Sequence, residues 1–158
     1  MTDDAIEYPV APIARLAALA ALDQSAIAIL QQACAERFDV KAQRSLPSDL
    51  HQQPVMIVSG WAARMRSLAS GTHMMVDLAL PGEIVRPIDS ASSIFCAVTD
   101  LQVAVMPDPA GSPSIRRAYI RSYQLTESYL MAHVARLGLL NAHDRLLDLM
   151  SELLERVL

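Results

Sequence analysis

The sequence contains few residues of the kinds that form covalent cross-links, metal clusters or nucleic-acid-binding surfaces. Two of its 158 residues are cysteines and four are histidines, so a disulfide framework is not indicated. Aromatic residues make up 4% of the chain and the formal net charge is -4, whereas a protein that grips nucleic acid by itself is usually basic. No run of 18 uninterrupted apolar residues occurs, so no membrane-spanning helix is expected. The acidic start of the chain is unlike a secretory signal, and we therefore expect a cytoplasmic protein.

Motifs for catalysis and metal binding are missing as well. His51 and His73 are 22 positions apart, without a ligand neighbour two positions away. His133 and His143 do not form an H-x-x-x-H pair, so no metal ligands are expected. The phosphate-binding P-loop and the dinucleotide glycine fingerprint are both missing from the sequence. The chain is therefore predicted not to be an enzyme, with a metal-dependent jelly-roll enzyme as the least favoured alternative.

What the sequence does contain is a change of hydrophobic period. An Ala/Leu-rich stretch at 13–22, and a second stretch capped by Asp23 or Ser25, predict two short helices. From Phe38 onward, apolar and polar residues alternate as in half-buried strands. The predicted strands lie at 38–42, 55–58, 61–68, 74–80, 93–98 and 101–106. Short strands at close to ten-residue spacing favour an antiparallel sandwich or barrel, and with the helices an α+β fold.

The next stretch, 113–140, predicts one long helix or two nearly continuous ones. At 1.5 Å per residue a helix of about 25 residues is roughly 38 Å long. Apolar residues recur along it at steps of three, four and seven, with Glu127 as a polar exception. The seam consists of Ile120, Tyr123, Leu130, Val134 and Leu137. Either the helix packs lengthwise on its own domain, or two copies pair their seams; we favour a homodimer.

The last stretch, 141–158, predicts a further helix that begins at Asn141 or His143 and runs to Val157. Its apolar residues fall on one side of the helix. They are Leu146, Leu147, Met150, Leu153, Leu154 and Val157. No later segment of the sequence is there to cover them.

Local motifs add a family resemblance to this layout. The string SGWA at 59–62 is followed by Arg64, then by Gly71, then by PGE at 81–83. In order and spacing these motifs resemble the Crp/Fnr family of bacterial transcription regulators, within the cyclic-nucleotide-binding-domain superfamily. The resemblance implies an antiparallel, jelly-roll-like β roll that senses a ligand, flanked by N-terminal helices and a long C-terminal dimerisation helix. In that family a C-terminal winged helix-turn-helix reads DNA.

The resemblance also implies a division of the chain. Residues 1–12 would be a flexible arm, 13–112 the β-roll domain, 113–140 the dimerisation helix and 141–158 a connecting helix toward a DNA-binding domain. The chain stops at Leu158, where the family's helix-turn-helix would begin. We therefore expect either the sensor fragment of a longer regulator or a natural regulator without a reader domain, and DNA contact only through a domain absent from this chain.

The segment after Gly82, EIVRPIDSASSIF, departs from the family's cyclic-AMP binders. Those carry a glutamate where this chain has Pro87, and an Arg-Ser or Arg-Thr pair where it has Ala91 and Ser92. Without the arginine a buried phosphate lacks its charge partner, unless Arg86 substitutes for it. Tight cAMP binding is therefore not expected.

The cofactor is left unknown. The cysteine cluster of the family's oxygen sensors is missing from the sequence. Haem stays open, with His73 as the residue to consider. A ligand would lie between the roll and the long helix, which predicts a set of pocket residues. They are Arg64, His73, Met75, Glu83, Arg86, Tyr123, Glu127 and Leu130. The alternative is a protein-interaction module that binds no ligand.

Overall fold

The computed structural model describes residues 11–47, 50, 53–86 and 93–157. Most of the predicted arm, together with His51, Pro87, Ala91 and Ser92, lies outside these residues. In the described part of the chain, no helix is long and apolar enough to cross a membrane.

Within the described residues the chain forms four helices and seven strands. The helices are α1 (Ala11–Leu19), α2 (Gln24–Ala35), α3 (Pro113–Leu139) and α4 (Ala142–Val157), with a short 3-10 turn at Pro109–Gly111. The strands are β1 (Arg37–Val40), β2 (Val55–Ser59), β3 (Ala62–Ser67), β4 (His73–Ala79), β5 (Ile84–Val85), β6 (Ser93–Ala97) and β7 (Leu101–Val105). The predicted α+β class is confirmed, and β5 is a strand that the sequence pattern did not predict.

The strands form two antiparallel sheets, in the orders β1-β7-β2-β5 and β4-β3-β6. In the four-stranded sheet, β2 is buried on both faces, which explains its continuous apolar run VMIV. Met56 and Val58 face a core shared with the helices. Val55 and Ile57 face a second core between the two sheets. The roll interior is thus filled by side chains such as Phe95 and Leu101.

The long helix α3 is continuous over 27 residues. It begins where Ser112 caps it by accepting a hydrogen bond from the Ile115 amide, and its first position is Pro113, which needs no amide partner. Its first half packs on the core through residues including Ile115 and Tyr119. The seam faces outward, since Val134 is 61% exposed and Leu137 43% exposed.

The last helix folds back on the domain. Arg145 donates hydrogen bonds to the carbonyls of Leu140, at 2.6 Å, and Leu137, at 2.9 Å. The Asn141 side chain caps the new helix by accepting from the Asp144 amide at 3.0 Å. Within the expected segment, residues Ala142–Val157 form the helix, and it returns along α3 toward the roll instead of continuing away from it.

Candidate functional site

One side of α3 borders a groove that we call the α2–α3 groove, with a volume of about 950 Å³. It lies between α2, the end of β7 and the first half of α3. Its apolar walls are Ile29, Ala33, Phe38, Val105, Met106, Tyr119, Ile120 and Tyr123. Polar residues also line it, namely Gln32, Glu36, Gln53, Arg86, Asp108 and Arg116. A mostly apolar cleft of this size with a few polar groups is the usual form of a small-molecule site.

Two tyrosines of α3 form one wall of the groove. Tyr119 is buried, and its hydroxyl donates to the Pro107 carbonyl at 3.1 Å. Burial raises the pKa of Tyr119 and of Tyr123, while the Arg86 guanidinium acts in the opposite direction on the pKa of Tyr123. Both side chains are therefore neutral phenols at physiological pH. The Tyr119 hydroxyl is committed to the backbone, which leaves Tyr123 as the more adaptable polar group.

A second group of polar residues lies on the other side of the roll, where α4 docks. We call it the arginine–carboxylate cluster. It consists of Arg15, Asp77, Glu83, Arg136, Asp148, Glu152 and Arg156. At its centre Arg156, 5% exposed, donates from Nε to Glu83 Oε1 at 3.1 Å and from Nη2 to Glu83 Oε2 at 2.8 Å. Because both oxygens of one carboxylate are engaged by one guanidinium, the pair is bidentate.

Glu83 has further partners. Arg15 of α1 donates to Glu83 Oε1 at 2.8 Å, and the backbone amide of Leu80 donates to Oε2 at 3.1 Å. This carboxylate is thus enclosed by two guanidinium groups and a backbone donor. It is already occupied by the protein's own donors, so in this conformation it is not open to a ligand.

The α3 side of the cluster is built around Arg136, which is 5% exposed. It donates to Asp148 at 2.7 Å and to Glu152 at 2.6 Å, both on α4. Glu152 also accepts from Arg156 at 2.9 Å, and the Arg156 guanidinium lies 4.2 Å above the ring of Tyr129. The cluster therefore links α1, the roll, α3 and α4.

Asp77 of β4 borders the same cluster. Burial raises the pKa of Asp77 to about 6, although Arg156 acts to lower it. The nearest Arg156 nitrogen lies 3.9 Å from its Oδ1, too far for a hydrogen bond. Between β4, α3 and α4 only a small cavity of about 50 Å³ remains. Along this part of the roll, α4 fills most of the space beside α3.

The predicted pocket residues do not form one site. Arg86 and Tyr123 lie together in the α2–α3 groove. Met75 borders the small cavity, and Glu83 belongs to the arginine–carboxylate cluster. The remaining predictions are placed elsewhere, so the set is distributed over several surfaces. Whether any of these residues binds a ligand stays a prediction.

Four of the predicted residues lie outside both regions. The Arg64 guanidinium lies 5.7 Å from the centre of the Phe95 ring. His73 hydrogen-bonds to Ser67 at 3.0 Å on an exposed hairpin, and Glu127 is exposed on α3. Leu130, also on α3, is half-buried. Among the residues described, no three His, Cys, Asp or Glu side chains are grouped as metal ligands.

Sequence reasoning missed the principal members of the cluster. Arg15, Arg136, Tyr129 and Arg156 were not among the predicted site residues. A weak signal was present, because Glu152 and Arg156 are four positions apart on one helix face. Nothing in the spacing indicated that Arg156 would meet a residue 73 positions earlier in the chain.

Comparison with solved structures identifies the fold. TTHA1359, a CRP/FNR-family transcriptional regulator of Thermus thermophilus, matches with a TM-score of 0.58 and 15% identity, over 70% of this chain and 60% of its own. The c-di-GMP responsive global regulator CLP of Xanthomonas campestris matches with a TM-score of 0.62 and 15% identity, over 79% of this chain and 70% of its own. Oxidized CprK in complex with o-chlorophenolacetic acid matches with a TM-score of 0.54 and 10% identity, over 69% of this chain and 52% of its own.

Sequence comparison adds nothing to this likeness. No protein-family model matches the chain, and a search of curated proteins also finds no match. The chain spans about 60% of the length of the first of these regulators. At 10 to 15% identity the likeness establishes the fold. The chain has the fold of the sensor region of CRP/FNR transcription regulators, which its sequence motifs predicted.

Proposed function

We propose that this chain is the sensor and dimerisation region of a CRP/FNR-like bacterial transcription regulator. One observation carries the proposal. Ile120 and Tyr123 line the α2–α3 groove and also belong to the seam of the long helix. A molecule bound in the groove would therefore contact the same helix face that a second subunit would cover. Its differential affinity for two arrangements of the helix pair would shift their populations.

Pairing through the seam is supported by the exposure of its apolar residues. Ile120 is 49% exposed, Val134 61% and Leu137 43%, and Met131 beside them is 63% exposed. An exposed apolar stripe of this kind, interrupted by Glu127, is typical of an interaction surface. A second copy of the chain offers the matching stripe, as an isologous dimer requires.

Tight cAMP binding is not part of the proposal. The cluster beside the roll contains three arginines but also four carboxylates, and the bidentate partner of Arg156 is already Glu83. In the groove, Arg86 and Arg116 are accompanied by Glu36 and Asp108. Neither region offers the surplus of positive charge that a buried cyclic phosphate needs.

DNA binding belongs to the proposal only through a further domain. Two regulators that share this fold extend well beyond the matched part, since the match covers 60% of TTHA1359 and 52% of CprK. We assign the reading of DNA to a C-terminal domain outside these 158 residues. The chain's own formal net charge of -4 agrees with that assignment.

Thermal-shift and calorimetric titrations test the ligand site. The probes are cAMP, cGMP, c-di-GMP and o-chlorophenolacetic acid, the last two being ligands named for structural neighbours. With cAMP at millimolar concentration we expect a shift in melting temperature below about 1 °C. A probe that binds in the groove will stabilise the native protein but will lose most of this effect in Arg86→Gln.

Arg121→Gln is the matched control, because Arg121 is exposed on α3 and does not line the groove. A shift of several degrees with cAMP would contradict the expected loss of cyclic-nucleotide binding. Equal stabilisation of the Arg86→Gln variant and the native protein by a bound probe would place the site elsewhere. If no small molecule binds, the ligand-free interaction module becomes the better reading.

A further inference from the structure

The last helix is docked with its amphipathic faces reversed. Its charged side chains, among them Arg145, Glu152 and Arg156, point toward α3 and the roll. Most of its apolar side chains point to solvent. They are Leu146, 57% exposed, Leu147, 55%, Met150, 57%, Leu154, 61%, and Val157, 59%. A surface helix normally buries its apolar stripe. On α4 the half-buried apolar residues are Leu149, which borders the small cavity, and Leu153, so the helix docks chiefly through its charged contacts.

Arg156 is the anchor of the docked helix. Its guanidinium makes the bidentate pair with Glu83, a hydrogen bond to the carbonyl of Leu78 and a further bond to Glu152 at 2.9 Å. Its flat face covers the Tyr129 ring at 4.2 Å. One side chain in the last turn of the chain therefore contacts the roll, α3 and its own helix.

The first helix holds the same turn from the other side. Arg15 donates to Glu83 at 2.8 Å and also to the backbone carbonyl of Arg156. The Arg15 side chain is 22% exposed and that of Glu83 10% exposed. Displacement of Arg156 from Glu83 would therefore change the contacts of α1 as well as those of α4.

These contacts are suited to reversal. The free-energy cost of removing charged groups from water offsets much of the attraction within a buried ion pair. Such a pair therefore adds little net stability compared with apolar packing. Docking α4 through Arg136 and Arg156 also leaves five apolar side chains in water. Undocking α4 would return the charges of Arg136 and Arg156 to water. This hydration lowers the free-energy cost of undocking, as a two-state element requires.

We propose that α4 is a releasable latch, fastened by Arg156 on Glu83, which closes the space between β4 and α3 in the docked state. Release withdraws the guanidinium from the roll and opens the space between β4 and α3. The latch operates within one chain and does not depend on the groove or on any ligand. The position of α4 therefore depends on whether Arg156 is paired with Glu83 of the β roll.

Hydrogen–deuterium exchange of the full chain tests the latch. The comparison is between the native protein, Arg156→Gln and the control Arg121→Gln, each at two protein concentrations. In the native protein, amides at 142–157 should be protected to the same degree at both concentrations, as expected for an intrachain contact. In Arg156→Gln we expect these amides to exchange at least tenfold faster, with α2 and β2 unchanged. Arg121→Gln should match the native protein.

If Arg156→Gln fails to fold, Glu152→Gln replaces it, because Glu152 bonds to Arg136 and Arg156 without entering the roll core. The expected result is the same faster exchange at 142–157. Unprotected α4 amides in the native protein would overturn the proposal. Equal protection of α4 in the native protein and in a folded variant lacking Arg156 would overturn it too.

Discussion

Arg156 of the last helix forms a two-point ion pair with Glu83 of the β roll, at 3.1 and 2.8 Å, across 73 positions of sequence. Glu83 ends the PGE string that gave the chain its family resemblance. In this structure its carboxylate fastens the first and last helices to the roll.

Glu83→Gln is expected to destabilise the protein by about 3 kcal/mol, because it removes the carboxylate that pairs with Arg15 and the bidentate partner of Arg156 in a partly buried site. Arg156 would keep Glu152 as a partner. Urea unfolding followed by circular dichroism measures the change. The control is Glu155→Gln, which alters an exposed glutamate on α4 and should stay within about 0.5 kcal/mol. Equal effects of the two substitutions would argue against a structural role for the Glu83 pair.

Gly82→Ala is expected to cost more stability than Gly71→Ala. Both glycines have positive φ, +86° and +81°, so each substitution carries a left-handed strain of about 1–2 kcal/mol. At Gly82 a Cβ would also lie 2.8 Å from Arg15 Cδ and 3.2 Å from the Pro12 carbonyl oxygen, whereas at Gly71 it would meet nothing within 4 Å. Thermal unfolding of the two variants gives the comparison. Similar melting temperatures of the two variants would show that α1 does not pack tightly against the turn at Gly82.

Asp77 should make stability depend on pH with a defined sign. Burial raises its folded pKa from 3.8 to about 6, so between these values the folded state binds more protons than the unfolded state. Stability from this group is therefore greatest below about pH 4, falls as pH rises to about 6, and is flat above about 7. At 1.36 kcal/mol per pKa unit the loss is about 2–3 kcal/mol.

The measurement is the unfolding free energy of the native protein minus that of Asp77→Asn, from pH 4 to pH 8. Taking the difference cancels the titration of the other carboxylates, provided that their own environments are unchanged. The difference should become less favourable to the native protein across pH 4 to 6. A difference that is constant, or that rises with pH, would contradict the buried state of Asp77.

The sequence predicted the helices and strands better than the contacts between them. The apolar run from Val55 and the cap at Asp23 depend on local chemistry, and both the strand and the capped helix are present. The strand Ile84–Val85 was missed because two residues are too short to establish a period. The long helix was predicted because its apolar pattern and the proline before it are both local.

The site was harder to predict because it depends on register and docking. A bulge at Val76 of β4 shifts the pairing with β3, so that Arg64 lies opposite Asp77 while the next residue, Met65, lies opposite Met75. Such a shift changes which side chains share a face. The apolar stripe of α4 was visible in the sequence, but which face of the helix docks is decided by Arg156 and Glu83. No local rule connects those two positions.

The account depends most on pairing through the seam of α3, and sedimentation velocity of the native chain tests it directly. Val134→Asp places a charge on the seam at a residue that is 61% exposed, so folding is not disturbed. A charge at the half-buried Leu130 would affect folding as well as pairing. Ala132→Asp is the control. Ala132 is also exposed on α3, but it lies two positions before Val134 and so about 200° around the helix from it. We expect the native chain and Ala132→Asp to sediment as dimers and Val134→Asp as a monomer. A native chain that is monomeric at tens of micromolar, or a Val134→Asp variant that remains dimeric, would contradict the account.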